Sequence, residues 1–467
     1  MPSCADPLVA YLLTTASFTL FFGRLYTHFN LKLIYLCAIG VFEIGSLICG
    51  VAPNSVAFIV GRAIAGLGSA GLFSGALLII AHSTPLVKRA AYTGIMSSMY
   101  GVASVCGPLI GGAFTDHVTW RWCFYINLPI GGVAMAFILF CFKSPPPPGK
   151  KDDLSSFKAV AGELDILGTI FFIPSVVCLL LALQFGGSQY AWSDGRIITY
   201  FVVFGVCLLI WLGIQFWKPE RASINPSLLA QRTVASCSWF AFSIGASFYT
   251  LLYYLPIWFQ AIKGVSALQS GIDNIPLVLA VVIATIASGI LVTVIGHYVP
   301  FMIASTILLS IGNGLITTFK PNTGSPEWIG YQVITGFGIG LGMQQALVAA
   351  QVVVSMDKIP TVMAMLVFFQ SFGAALFVSV GQSVFQNKLI SDLAKSVPDL
   401  NPVSIIAGGA TTIRSAVPAQ QLPLVLDAYN DAIRQTFIVA LAMGCLTVFG
   451  IIAIEWKSVK NKQLAMG

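Results

Sequence analysis

The stretch Gly23-Arg24-Leu25-Tyr26-Thr27-His28-Phe29 decides the fold, because its pattern returns later in the chain as Gly289-Ile290-Leu291-Val292-Thr293-Val294-Ile295. Glycine, leucine and threonine recur at the same spacing, and each copy stands between two apolar segments. Three matching residues would carry little weight alone, so the sequence beyond each copy has to match as well.

Two further pairs extend the match. Ile44-Gly45 corresponds to Ile311-Gly312, and Arg62-Ala63-Ile64-Ala65-Gly66-Leu67-Gly68 corresponds to Gln332-Val333-Ile334-Thr335-Gly336-Phe337-Gly338. The offset between the copies grows only across connecting segments, as it does when insertions fall between structural elements. The chain is therefore predicted to contain two related halves, an arrangement typical of secondary transporters.

The composition places the chain in a membrane. Hydrophobic residues make up 57% of it and charged residues only 9%, too few charges to cover a water-soluble fold of this length. Apolar runs of about 20 residues recur, each long enough to cross the hydrocarbon core, and they lack the alternation of transmembrane β-strands. An all-α polytopic membrane protein with about thirteen transmembrane helices is predicted, at 9–24, 32–52, 56–81, 93–114, 122–142, 165–184, 197–217, 234–259, 270–294, 298–318, 328–352, 361–384 and 434–455.

These helices divide into five, two and six. We expect an N-terminal bundle at 1–142, a cytoplasmic linker at 143–164, two extra helices at 165–217, and a six-helix bundle at 234–455 with an outer loop at 387–433. The first half has one helix before its copy of the pattern and the second half has two. A symmetric plan would therefore need one more helix at the front.

The basic residues predict the orientation. Fifteen Lys and Arg residues fall in alternate loops and in the C-terminal tail, against eight in the other loops. Because cytoplasmic loops are enriched in Lys and Arg, we expect a cytoplasmic C-terminus. The net charge of +7 then reflects topology and does not indicate a nucleic-acid partner.

Two ionisable residues are predicted inside the membrane and are the candidates for proton coupling. Arg62 stands about two turns into a helix, where an arginine costs roughly 2.5–3.5 kcal/mol on insertion scales. Glu43 lies at similar depth in the preceding, antiparallel helix. The pair predicts either a buried ion pair or a carboxylate that takes up protons. The alternatives are an arginine that snorkels to the surface and a carboxylate satisfied locally.

Small residues and amides supply the remaining candidates. One helix carries Gly94, Gly107, Pro108, Gly111 and Gly112, a pattern that favours close helix packing and a flexible point at the proline. Buried amides and one aromatic residue of the second half are candidates for substrate contact or interhelical pairing, namely Gln332, Gln344, Gln345, Asn313, Gln370 and Tyr253. The sequence carries no P-loop to indicate ATP and no histidine spacing to indicate a metal, and no cofactor is expected.

At these residues the chain resembles the major facilitator superfamily, in particular the fourteen-helix drug:proton antiporter branch that includes fungal toxin and secondary-metabolite efflux pumps. The resemblance covers essentially the whole chain and implies a two-bundle fold whose first helix has no counterpart here. Residues 23–32 resemble the cytoplasmic-loop motif of the family, with Thr27 at the position of its acidic residue. That motif implies a gating role for Gly23, Leu25, Thr27 and, by the repeat, Gly289.

Two other motifs carry implied roles. Residues 61–68 resemble the motif whose arginine is implicated in proton transfer, which falls on Arg62. Residues 94–112 resemble the antiporter motif, with Ala103 replacing one glycine, and residues 120–129 are similar to a stretch typical of this branch.

The function expected from these observations is proton-coupled efflux of a small, largely apolar compound by a monomer in the plasma membrane, or in a vacuolar or vesicle membrane. Two alternatives stay open. One is an importer of a metal chelate or nutrient, and the other is a shortened, non-transporting product. The partners expected are a small-molecule substrate, protons and the lipid bilayer.

Overall fold

The structure is a computed structural model that describes residues 6–142, 165–187, 190–217, 222, 224–355, 358–398 and 413–459. Throughout these ranges the regular secondary structure is helical, apart from an isolated bridge between Gly186 and Tyr190. The predicted all-helical fold is therefore confirmed. The linker predicted at 143–164 lies outside the described residues.

Thirteen long helices follow one another in the described ranges. The first half contains α1 (Asp6–His28), α2 (Leu31–Val51), α3 (Ser55–Ser83), α4 (Leu86–His117) and α5 (Trp122–Cys141). Two extra helices follow, α6 (Ile166–Phe185) and α7 (Gly195–Trp217). The second half contains α8 (Arg232–Trp258), α9 (Ile275–Ile295), α10 (Val299–Ile316), α11 (Ser325–Val353), α12 (Ile359–Ser396) and α13 (Leu422–Ile452). By length and composition, 11 of these helices, all but α1 and α4, could cross a membrane.

Short capped turns set the helices of the first half antiparallel. Asn30 precedes α2 and accepts a hydrogen bond from the backbone N–H of Lys32 at 2.9 Å. Asn54 precedes α3 and accepts one from Ala57 at 2.8 Å. Each cap satisfies a backbone donor that has no partner within its helix. Because only a few residues separate the helices, consecutive helices must pack as antiparallel neighbours.

The two copies of the sequence repeat form the same kind of helix crossing. In the first half α2 crosses α3 so closely that a Cβ on Gly45 would overlap Ala65. In the second half α10 crosses α11 in the same way, and a Cβ on Gly312 would overlap Thr335. These residues occupy corresponding positions in the two copies of the sequence pattern. Small residues allow this close approach of backbones.

The halves meet along two pairs of helices, α1 with α12 and α4 with α9. A Cβ on Gly23 of α1 would overlap the side chain of Ala364 in α12. Helix α6 of the extra pair packs against α12, where the rings of Phe172 and Phe368 lie 5.5 Å apart. We call the end of the molecule that carries the α1–α2 and α3–α4 loops the basic end.

The structure differs from the prediction at several helix ends and within α8 and α11. The segment 387–433, predicted as an outer loop, is helical at both ends, because α12 continues to Ser396 and α13 begins at Leu422. These polar turns extend the helices beyond the apolar run on which the prediction rested. Helix α11 is interrupted between Gly342 and Gln345, and α8 contains Pro256 and ends in a π-helical turn, Phe259–Lys263.

Candidate functional site

A cavity of about 120 Å³ lies between the two halves, and we call it the central cavity. The first half lines it with Tyr11, Thr15 and Thr19 of α1 and with Ser69, Ala70 and Phe73 of α3. The second half lines it with Tyr249, Met343, Val367, Gln370, Ser371 and Ala374. The described lining therefore consists of apolar groups, hydroxyls and one amide.

The α1 wall of the central cavity is a stripe of hydroxyl-bearing side chains. Tyr11, Thr15 and Thr19 recur every four residues, so they share one helix face. The Thr15 hydroxyl lies 2.8 Å from the Tyr11 carbonyl and 3.1 Å from that of Gly66, and the Thr19 hydroxyl donates to the Thr15 carbonyl at 2.6 Å. The hydroxyl protons are engaged by the backbone, which leaves the hydroxyl oxygens as acceptors towards the cavity.

Arg62 contacts a residue of this wall. Its guanidinium carbon lies 4.2 Å from the centroid of the Tyr11 ring. The Tyr11 hydroxyl donates a hydrogen bond to the Ser69 Oγ at 2.7 Å. Arg62, Gly66 and Ser69 lie on one face of α3 because they are four and then three residues apart. This face packs on α1, where a Cβ on Gly66 would overlap the Tyr11 carbonyl.

Glu43 lies at a different helix interface from Arg62. Its carboxylate packs against Gly131 of α5, and one turn along the same face of α2 the Ser46 Oγ accepts a hydrogen bond from Asn127 at 3.2 Å. The Glu43 Oε2 atom is buried and has no hydrogen-bond partner among the described residues. The ion pair with Arg62 that we considered from sequence is not formed in this structure, because residues 42, 45 and 49, not Glu43, face α3.

The glycines predicted to gate have different surroundings. A Cβ on Gly94 of α4 would lie 3.0 Å from the Thr285 carbonyl and 3.7 Å from the Cα of Gly289 in α9, so two residues from separate motifs meet at the boundary between the halves. Gly107 is exposed and a Cβ there would meet no atom within 4 Å. A Cβ on Gly111 would lie 3.8 Å from the Cys123 Sγ.

The remaining gating candidates are in α1 and α4. Leu25 is partly buried and packs against the hydrophobic core. Thr27, Pro108 and Gly112 belong to described helices, but their side-chain surroundings lie outside what the structure describes.

Two of the amides predicted to bind substrate form hydrogen bonds between helices. Asn313 of α10 is buried and donates to the Ser247 Oγ at 2.8 Å and to the Ala440 carbonyl at 3.1 Å. Gln332 of α11 donates to the Asp273 carbonyl at 3.0 Å, just before α9. This is the pairing alternative that the sequence left open for buried amides.

Of the other four candidates, only Gln370 lines the central cavity. Gln344 and Gln345 are buried at the interruption of α11, where both side-chain amide atoms of Gln345 lack a hydrogen-bond partner in the described structure. Tyr253 is partly buried, with its ring 5.0 Å from that of Tyr254.

Sequence reasoning missed most of the cavity wall, although a signal was present. The four-residue spacing of Tyr11, Thr15 and Thr19 places three hydroxyl-bearing side chains on one face of α1, and Ser69 continues the α3 face that begins at Arg62. For Met343 and Tyr249 the sequence offers no such spacing of cavity-lining polar residues.

Polar contacts join the halves at the basic end. The Arg89 Nη1 at the start of α4 donates to the Gln351 Oε1 in α11 at 3.2 Å, and both side chains are buried. Arg24, at the end of α1, donates from its Nε to the Ala222 carbonyl at 3.1 Å. The Arg89–Gln351 bond and the Gly94 contact hold the two halves together at this end, and the Arg24 bond ties α1 to the segment before α8.

The comparisons with known proteins agree with this architecture. The family model described as Major Facilitator Superfamily matches residues 7–378. The chain therefore belongs to the major facilitator superfamily, a family of integral membrane transporters of small molecules.

Relatives that cover almost the whole chain carry more specific names. The "MFS-type efflux pump MFS1" of Arthroderma benhamiae is 52% identical over 455 residues, 97% of this chain and 84% of that protein. The "Efflux pump roqT" of Penicillium rubens is 50% identical and the "Efflux pump aflT" of Aspergillus parasiticus 49% identical, each over 97% of this chain, covering 83% and 88% of the relative.

Solved structures agree on the fold. The human organic anion transporter MFSD10 superposes with a TM-score of 0.57 at 14% identity, over 95% of this chain and 86% of that one. An autoinhibited peptide transporter of the POT family gives the same TM-score and identity, over 94% and 87%. At this identity the likeness shows the fold alone.

Proposed function

We propose that this chain exports a small, largely apolar compound and takes up protons in exchange. The observation that carries the proposal is the central cavity, which both halves line and which the two halves can expose to either side by rocking. Its described wall offers apolar surface together with the Thr15, Ser371 and Gln370 side chains. Such a wall suits an uncharged guest with a few hydrogen-bonding groups. The names of the fungal relatives support export as the direction.

The proton-coupling groups of the proposal are Arg62 and Glu43. Arg62 stands one side chain away from the cavity wall, through its contact with Tyr11. Glu43 has a buried carboxylate oxygen without a hydrogen-bond partner in the described structure, and protonation would lower the cost of burying that group. In this proposal Glu43 binds a proton in one of the two states of the transport cycle and releases it in the other, and the charge of Arg62 favours one of those states.

The proposed orientation places the basic end in the cytoplasm of a plasma-membrane monomer. The helix turns next to the loops at that end carry Arg24, Lys32, Lys88 and Arg89. Since the Arg89–Gln351 contact and the Gly94 crossing close that end, the described state would be the one closed towards the cytoplasm.

Export of Nile red, an uncharged apolar dye, from proteoliposomes under an imposed pH gradient tests the proposal. Arg62→Ala should abolish the acceleration by the gradient. Arg196→Ala is the matched control, because Arg196 lies over the Tyr190 ring at 4.7 Å but stands in the first turn of α7, whose described residues do not line the central cavity, and it should export like the wild type. An Arg62→Ala variant with unchanged pH dependence would contradict the coupling role, and flux in the opposite direction would favour the importer.

A further inference from the structure

Tyr11 is the described side chain that both lines the central cavity and contacts Arg62. Its ring faces the guanidinium and its hydroxyl is bonded to Ser69, which lines the cavity as well. Among described residues the structure records no ion pair or hydrogen bond for the Arg62 guanidinium, so the ring is its recorded partner. A desolvated guanidinium over an aromatic face is stabilised by the ring quadrupole.

We propose that Tyr11 transmits occupancy of the central cavity to Arg62. A guest with a carbonyl group competes with Ser69 for the Tyr11 hydroxyl, because the phenol has one proton to donate. When the Tyr11 hydroxyl donates to the guest and no longer to Ser69, the Tyr11 ring turns. Its contact with the Arg62 guanidinium is then altered. The inference rests on the proposed function, and it adds the residue by which binding and the charged group communicate.

The backbone around Tyr11 is held, so the side chain is the part free to respond. The Tyr11 carbonyl packs against Gly66 so tightly that a Cβ there would overlap it. It also accepts hydrogen bonds from the Thr14 and Thr15 hydroxyls at 3.1 and 2.8 Å. A shift of α1 against α3 would break this packing, whereas a change in the Tyr11 side-chain torsion would not.

The proposal predicts opposite effects for the two ends of one hydrogen bond. Ser69→Ala frees the Tyr11 hydroxyl, so a carbonyl-bearing probe should bind more tightly. Tyr11→Phe keeps the ring over Arg62 but removes the donor, so the same probe should bind more weakly. If the Tyr11–Ser69 bond only supported the fold, both variants would weaken binding, since each loses the same bond.

Binding of Nile red to the purified full chain in lipid nanodiscs provides the test, with empty nanodiscs as the background. A double-mutant cycle joins Tyr11→Leu with Arg62→Gln, the residue found at the corresponding position 332 of the second half. We expect the two effects on the dissociation constant to be non-additive by about threefold or more. The matched cycle joins Gln370→Ala, on the opposite wall of the same cavity, with Arg62→Gln, and should be additive.

Opposite shifts for Ser69→Ala and Tyr11→Phe, together with coupling to Arg62 only in the Tyr11 cycle, would support the inference. Additivity in both cycles, weaker binding in both conservative variants, or no saturable binding by the wild type would overturn it. Because the experiment measures binding and not transport, its outcome can be distinguished from failure of the proposed export function. A chain that shows the coupling but exports nothing would contradict export alone, and a chain that exports with additive cycles would contradict the role of Tyr11 alone.

Discussion

Gly94 of α4 and Gly289 of α9 face each other across the boundary between the halves, with 3.7 Å between a Cβ built on Gly94 and the Cα of Gly289. The same Cβ would stand 3.0 Å from the Thr285 carbonyl. The antiporter-like glycines and the second copy of the repeat, which are separate features of the sequence, therefore form one contact. Its closeness depends on the absence of side chains at both positions.

A larger residue at this crossing should favour the state in which the halves part at the basic end. For Gly94→Val we expect overpacking to cost the closed state about 1–3 kcal/mol, which shifts the equilibrium by about 5- to 150-fold. The measurement is the rate of maleimide labelling of a cysteine placed at Ala364, which lies at the α1–α12 boundary. Gly107→Val on the same helix is the control, because nothing lies within 4 Å of a Cβ there. Equal labelling of both variants would contradict the role of the crossing.

The Arg89–Gln351 contact should contribute to closure at the same end. Gln351→Ala removes a hydrogen bond to a charged group, worth about 1.5–3 kcal/mol, and should raise labelling at position 364. Gln351→Glu should lower labelling and slow export, because a carboxylate binds the guanidinium more strongly than an amide does. Gln260→Ala is the control, since Gln260 bonds to Ser270 within the second half. If Gln351→Glu left the labelling rate at position 364 unchanged, this contact would not contribute to closure of the basic end.

Glu43 should be needed for coupling but not for folding. Glu43→Gln keeps the shape and removes the charge, so we expect equal export rates with and without the pH gradient. The unfolding temperature at neutral pH should stay the same or rise, because an amide carries no charge to desolvate. Proteoliposome flux and thermal unfolding in detergent measure the two effects. Retained acceleration by the gradient would remove Glu43 from the mechanism.

The surroundings of Glu43 can be tested through two adjacent glycines of α5. A Cβ on Gly131 would overlap the Glu43 carboxylate, whereas a Cβ on Gly132 would meet nothing within 4 Å. Gly131→Ala should therefore lower stability by about 1–3 kcal/mol, and Gly132→Ala should leave it unchanged or raise it slightly. Both are read from thermal unfolding, and similar shifts for the two variants would mean that Glu43 does not pack on α5.

The same substitution can be tested at the two equivalent helix crossings, one in each half. Gly45→Ala and Gly312→Ala should each lower stability by about 1–3 kcal/mol, because a Cβ would overlap the facing helix in both halves. Gly40→Ala and Gly314→Ala, on the same two helices, have open space around the new methyl group and should be tolerated. The yield of monodisperse protein and the unfolding temperature measure the outcome. If Gly45→Ala lowered stability and Gly312→Ala did not, the claim that the two crossings are packed alike would be contradicted.

Helix positions could be predicted closely from the sequence because hydrophobic length is a property of the segment alone. The span predicted at 32–52 is observed as Leu31–Val51, and the one at 197–217 as Gly195–Trp217. The prediction fell short where helices leave the apolar region, as in α12, whose last turns to Ser396 are polar. Hydropathy has no means of recognising a helix that continues into water.

The rotation of each helix about its axis was harder to predict. Depth alone suggested that Glu43 and Arg62 could pair, but Glu43 turns towards α5 and Arg62 towards α1. Six residues were predicted to bind substrate from their chemistry. In the described structure Asn313 bonds to α8 and α13, Gln332 bonds to the segment before α9, and only Gln370 of the six lines the central cavity. These choices depend on packing partners distant in the sequence, which the periodicity of a single helix does not specify.

The crossings of Gly45 with Ala65 and of Gly312 with Thr335 also show where the two halves differ in function-bearing residues. Their backbones are built alike at this point, but the position four residues before Gly66 carries a guanidinium and the matching position before Gly336 carries an amide bonded to Asp273. At this crossing the two halves share the close helix approach but differ in charge, because one position carries a cation and the other a neutral amide. An exchange of the two segments would preserve the architecture and move the charge to the other side of the pseudo-symmetry axis.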